Sequence, residues 1–98
     1  MTVVPHFDAV IHAPGRLQIC GILATADAAE FSAIREAIGV SDSVMSKHIK
    51  LLEEAGYIVV KKAAREGRQR TWLSLTAEGR IVFTKHIAEL TRLAGIVG

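Results

Sequence analysis

The stretch from Gly39 to Gly79 allows few local structures. Gly39 can stop one helix and Ser41 can cap the next. Residues 42–55 carry Met45, His48, Ile49 and Leu52 at i, i+3, i+4 and i+7, the spacing of a buried helical stripe. Ser43, Ser46, Lys47, Lys50 and Glu54 take the opposite side, and Asp42 suits the positive N-terminal end. Gly56 ends the helix. Residues 57–62 and 70–75 then read as two strands, with Ile58 and Val60 turned inward against Leu73 and Leu75. Residues 63–69 are expected to form a connection longer than a tight hairpin loop, with Gly67 at its tip. Lys61, Lys62, Arg65, Arg68 and Arg70 crowd this tip against Glu66 alone.

The rest of the chain supports this device. Its 98 residues suit a single domain, 1–98, that buries roughly 60–70% of its unfolded surface. Half the residues are hydrophobic, which excludes disorder. The longest uncharged apolar stretch, residues 17–26, is too short to cross a bilayer, so no membrane partner is expected. The first residues lack the pattern of an export signal. The single cysteine, Cys20, precludes an intrachain disulfide and suits a reducing cytoplasm. Net charge is only +2, but residues 1–40 sum to −2 while residues 41–75 sum to +3. The positive surplus therefore sits on the helix and hairpin, as a surface for a polyanion requires.

Pro5 is expected to open a short helix, residues 6–12, that Pro14 and Gly15 close or kink. A second helix covers residues 16–24, with Leu17, Cys20, Leu23 and Ala24 on one face. Phe31 is expected on a short strand or as a hydrophobic staple, and Ser32 as the N-cap of a helix over 33–38. Thr76 caps a last helix, with Val82, Phe83, His86, Ile87, Leu90 and Ala94 along one side. The order is α-α-α-α-β-β-α: an α+β, mainly helical winged helix-turn-helix with a two- or three-stranded wing sheet. Both terminal segments carry more apolar surface than so small a core needs, which points to terminal dimerisation helices. Val3, Val4, Phe7, Val10 and Ile11 would meet Phe83, Ile87, Leu90, Ala94 and Val97 across a two-fold axis.

The chain resembles the small winged-helix transcriptional regulators of the MarR and ArsR groups. The resemblance is carried by Val10-Ile11-His12-Ala13-Pro14-Gly15-Arg16-Leu17, by Phe31-Ser32-Ala33-Ile34-Arg35 and by Ser46-Lys47-His48-Ile49-Lys50-Leu51-Leu52-Glu53. Arg70-Thr71-Trp72-Leu73-Ser74-Leu75-Thr76-Ala77-Glu78-Gly79-Arg80 completes it. It implies a homodimeric regulator of double-stranded DNA, usually a repressor, and leaves any small-molecule effector unspecified. Two positions depart from the group: Leu51 stands where a second cation is common, and Gly15 where a larger apolar residue is usual.

A helix of this kind fits the major groove, where Lys47 or Lys50 reaches guanine edges or phosphates and small serines let the backbone approach. The wing cations suit phosphates or a narrow minor groove. The candidate DNA-binding set is Ser41, Ser43, Val44, Ser46, Lys47, Lys50, Lys62, Arg65, Arg68 and Arg70. A solvated lysine face on an ordinary amphipathic helix would carry similar residues, but the turn before it and the hairpin after it favour contact. The alternative is a winged-helix module that binds protein or RNA, although such modules often lose these cations. Trp72 is expected to pack on the far side of the hairpin, Cys20 in the core, and His48 as a hydrogen-bonded structural residue. His86 and Glu89, with Asp8 and His12 nearby, resemble a metal-sensing pattern, but its companion Asp-x-His pair is absent, so no metal and no cofactor is expected. Paired carboxylates in a cleft, a phosphate loop and a nucleophile elbow are all lacking, so no enzyme is expected.

Overall fold

The computed structural model describes residues 7–97. A short helix α1 (Ala9–His12) is followed by α2 (Pro14–Ala24), strand β1 (Ala29–Glu30), α3 (Phe31–Ile38) and α4 (Asp42–Glu54). Strands β2 (Ile58–Arg65) and β3 (Arg68–Leu75) and helix α5 (Ala77–Val97) complete the chain. The order and the three-stranded antiparallel sheet, β1-β3-β2, make a mainly helical winged helix.

The helix starts differ from expectation at the α1–α2 junction and at α3. The expected helix over residues 6–12 begins later among the described residues, because the Asp8 carboxylate accepts hydrogen bonds from the amides of Val10 and Ile11 and caps α1. The roles given to Pro5, Val3 and Val4 lie outside the described residues. Ala13 is extended, as a residue before proline tends to be, and Pro14 opens α2 rather than merely closing α1. The second difference is at α3, which starts at Phe31 with Glu30 at the N-cap and no side-chain cap. Ser32 is therefore not the cap; its hydroxyl donates to the Glu30 carboxylate at 2.7 Å. The connection expected over residues 63–69 is likewise shorter. Glu66 and Gly67 both have positive φ, 53° and 76°, so a two-residue turn keeps the strands paired out to Arg65↔Arg68. Glutamate is an unusual occupant of that conformation, which hid the turn from a reading of composition.

One core joins the helices to the inner face of the sheet. Ile11, Ile19, Cys20, Leu23, Ile34, Met45, Ile49, Leu52, Ile58 and Leu73 are buried in it, each large aliphatic contributing roughly 1.5–3 kcal/mol. Val60 pairs with Leu73 and Ile58 with Leu75, so the inward alternation is as expected. Ile11 was expected to face a partner chain; it is instead fully buried within the fold, and Phe83 packs against the same core. Burial pushes the Cys20 thiol up to about 11, which keeps it an inert core group. Tyr57 donates to the second Asp8 oxygen at 2.6 Å, tying α1 to the start of the hairpin.

At the seam of α1 and α5, His86 is buried with its Nε2 3.3 Å from Nδ1 of His12, and Phe7 lies against both rings. Among the described residues, the Nδ1 atom of His86 has no hydrogen-bond partner. Burial, and then the neighbouring His12, hold His86 below its usual 6.5, outweighing the nearby Asp8 and Glu89 carboxylates. Burial and Arg16 do the same for His48. For both groups the unfolded chain takes up protons at a higher pH than the fold does, so stability is full above about 6.5 and falls as pH drops through that value. Melting by circular dichroism should show a lower midpoint at pH 5.5 than at pH 7.5, and His86→Leu should reduce that difference. An unchanged midpoint would contradict the neutral, buried state of His86.

Candidate nucleic-acid interface

Helix α4 owes its orientation to contacts at both ends. The Ser41 hydroxyl accepts from the Val44 amide at 3.2 Å, the expected N-cap. Arg35 straps the preceding turn: its Nε lies 3.0 Å from the Asp42 carboxylate, and its guanidinium donates to the Val40 carbonyl at 3.4 Å. The pairing of Arg35 with Asp42 links the last turn of α3 to the first of α4. At the far end Gly56 takes a left-handed φ of 81° and turns the chain into β2.

His48 supplies a third anchor and explains the glycine at position 15. A Cβ on Gly15 would lie 2.4 Å from Nε2 of His48, so the imidazole occupies the space a side chain would need. The other ring nitrogen of His48 lies 3.4 Å from the Arg16 guanidinium. His48 is thus the structural histidine expected, although it reaches α2 beside the buried stripe instead of completing it.

With α4 held in this way, Ser43, Ser46, Lys47 and Lys50 are all exposed along one side. Val44 stands beside them at 40% exposure. Across a groove of about 320 Å³ lies the hairpin: Ser46, Lys50 and Glu53 line one wall, Val60 and Thr71 the other, with Phe31 and Ile49 also lining it. Lys62 pairs with Thr71 and continues that inner face of the sheet beyond the core, while Arg68 sits beside the two-residue tip. Both are exposed. Arg65 ends β2, and its side chain lies outside the described residues. Among the described residues, Lys47, Lys50, Lys61, Lys62 and Arg68 have no carboxylate partner, which leaves their charge available to an anion.

Arg70 is placed differently from the other wing cations. It lies on the outer face of the sheet, where both Glu30 oxygens accept from its Nη1 at 2.9 Å. The Ser32 hydroxyl, and then Arg70, hold the Glu30 carboxyl below its usual range against the opposing effect of burial. The charge of Arg70 is thereby largely answered within the protein, and β1 is tied to β3 beside the wing. A two-residue strand has too little alternation to be found by periodicity, so this partnership was invisible in sequence. Trp72 shares the row Glu30–Trp72–Lys61 on that outer face, away from Leu73, as expected from alternation.

The arrangement matches a known family and a set of solved structures that share the winged-helix fold. A family model described as a winged helix DNA-binding domain matches residues 16–94. An uncharacterised protein of Methanocaldococcus jannaschii is 32% identical over 79 residues, covering 81% of this chain and 86% of its own. Among solved structures, a transcriptional regulator homologue from Pyrococcus horikoshii superposes with a TM-score of 0.85 at 24% identity, covering 90% of this chain and 87% of that one. YusO from Bacillus subtilis gives a TM-score of 0.79 at 25% identity, covering 87% of this chain and 60% of its own. The PcaV transcriptional regulator of Streptomyces coelicolor, solved with its natural ligand, gives 0.78 at 19% identity, covering 93% of this chain and 63% of its own. The chain belongs to the winged helix DNA-binding domain family.

Proposed function

We propose that residues 1–98 act as one domain and form a homodimeric, sequence-specific regulator of double-stranded DNA, without catalytic activity of its own. Helix α4 enters the major groove, and the β2–β3 wing follows the backbone or an adjacent minor groove. The observation that carries this reading is the exposed row Ser43, Ser46, Lys47 and Lys50, held by the Arg35 strap and flanked by the cationic wing. A bound dimer covering promoter DNA would exclude polymerase, so we read the protein as a repressor that works in the cytoplasm. Among the described residues no helix is long and apolar enough to cross a membrane. Fragments selected from the source genome at moderate salt should share a two-fold symmetric motif. Recovery of unrelated fragments, or preferential capture of RNA or protein, would replace this reading with the interaction-module alternative.

Dimerisation is supported by shape. The radius of gyration is 14.9 Å, against roughly 13 Å for a compact chain of this length. The 21-residue α5 extends for about 31 Å, with Ile81 56% and Ile87 40% exposed along it. An obligate interface formed there with the N-terminal segment would bury on the order of 2,000 Å² or more and set two α4 helices about 34 Å apart, one DNA turn. Light scattering at micromolar concentration should return twice the chain mass; a monomer there would count against the dimer.

A further inference from the structure

We propose that Val44 determines sequence specificity by contacting the 5-methyl group of a thymine in the major groove. This rests on the reading of α4 as the groove helix and deepens it by naming the base feature read. Val44 is a large aliphatic side chain, 40% exposed, in the first turn of α4 beside the exposed Ser43 and Lys47. The core stripe of α4 is filled by Met45, Ile49 and Leu52, and Val44 stands outside it on the exposed side of the helix. A β-branched residue at an exposed helical position also weakens the helix slightly, so helix propensity does not account for it.

Its placement suits an apolar contact with DNA. The Val44 amide donates to the Ser41 hydroxyl, which fixes the backbone at this point. A helical valine is held in one dominant rotamer, so its methyls are presented without the rotamer freedom a lysine gives up on binding. In the major groove, the thymine methyl is the apolar feature that distinguishes a T·A pair. Lys47 follows one turn later, about 4.5 Å along the axis, and base pairs are about 3.4 Å apart. The thymine should therefore lie within about one base pair of the position Lys47 reaches.

Deoxyuridine removes only that methyl and keeps the pairing. In the duplex the protein selects, each thymine is replaced in turn by deoxyuridine, and binding is followed by fluorescence anisotropy. One thymine per half-site should stand out, where the replacement weakens the parent about fourfold, the equivalent of one buried methyl group. The same replacement should leave Val44→Ala unaffected, while Leu51→Ala, altered two turns along the helix, responds as the parent does. Thermal melting establishes that both variants are folded. If a selectively bound duplex is indifferent to every deoxyuridine, or if Val44→Ala loses as much as the parent, the thymine contact is wrong and the groove reading stands. If no duplex is bound selectively, both fail together.

Discussion

Gly79→Ala is expected to lower the melting temperature by at least about 12 °C. A Cβ at this position would lie 2.1 Å from the Tyr57 carbonyl oxygen and 2.8 Å from its carbon. Neither side can retreat cheaply. The Tyr57 carbonyl accepts from the Thr76 amide at 2.9 Å, and the Tyr57 amide donates back to Leu52 at 3.0 Å. Thr76 in turn caps α5 by accepting from the Gly79 amide, and its hydroxyl donates to the Gly56 carbonyl. The added methyl therefore strikes the backbone where α4, β2 and α5 are joined. Overpacking a side chain costs about 1–3 kcal/mol, and a clash with fixed backbone should exceed the upper figure; each kcal/mol moves the midpoint of so small a domain by about 4–8 °C. Gly95→Ala is the matched control. Among the described residues nothing lies within 4 Å of a Cβ there, so alanine should be neutral or stabilise by up to about 1 kcal/mol. Equal melting curves for the two variants would show that the α5 start is not fixed as described.

Lys47→Ala should produce the largest change in DNA recognition. The lysine is exposed in the second turn of α4, on the side that carries Ser43 and Lys50, and a base contact from it is worth about 1–3 kcal/mol per half-site. Two substitutions in a dimer could double the loss. Affinity for the preferred duplex should fall far more than affinity for random DNA. Arg68→Ala should behave differently if, as proposed, the wing tip meets phosphates: all duplexes weaken alike, and the salt dependence flattens by about 0.9 units for each phosphate the protein no longer neutralises. Arg70→Ala should change the salt slope little, since Glu30 already answers that charge. Titration of each variant against both duplexes over a salt series separates these outcomes.

The parts of this fold that follow from periodicity were legible in the sequence. Met45, Ile49 and Leu52 placed α4, Ser41 and Gly56 bounded it, and the alternation of Ile58, Val60, Leu73 and Leu75 gave the inner face of the sheet. What escaped were features made by partners distant in sequence or by unusual backbone. Arg70 looked like another wing cation because its partner, Glu30, lies 40 residues earlier on a strand of two residues. The tight turn at Glu66-Gly67 was missed because glutamate rarely takes positive φ. Gly15 gave no hint that His48 fills its side-chain space. Ile11 was assigned to a partner chain because an apolar terminal segment looks the same whether it packs inward or outward. The Arg70 partnership and the tight turn alter how the candidate surface is bounded, while Ser43, Ser46, Lys47 and Lys50 are exposed along α4 as the helical spacing implied.

The most direct test of α4 as the groove helix is methylation interference on the selected duplex. Methylation of guanine N7 modifies the major groove, and methylation of adenine N3 the minor groove. If Lys47 and its neighbours read the major groove, N7 methylation should block binding at two clusters of guanines about one turn, roughly 10 base pairs, apart, and Lys47→Ala should lose sensitivity at the guanine it contacts. Binding that tolerates N7 methylation throughout the site, or that responds only to adenine N3, would contradict the placement of α4 in the major groove.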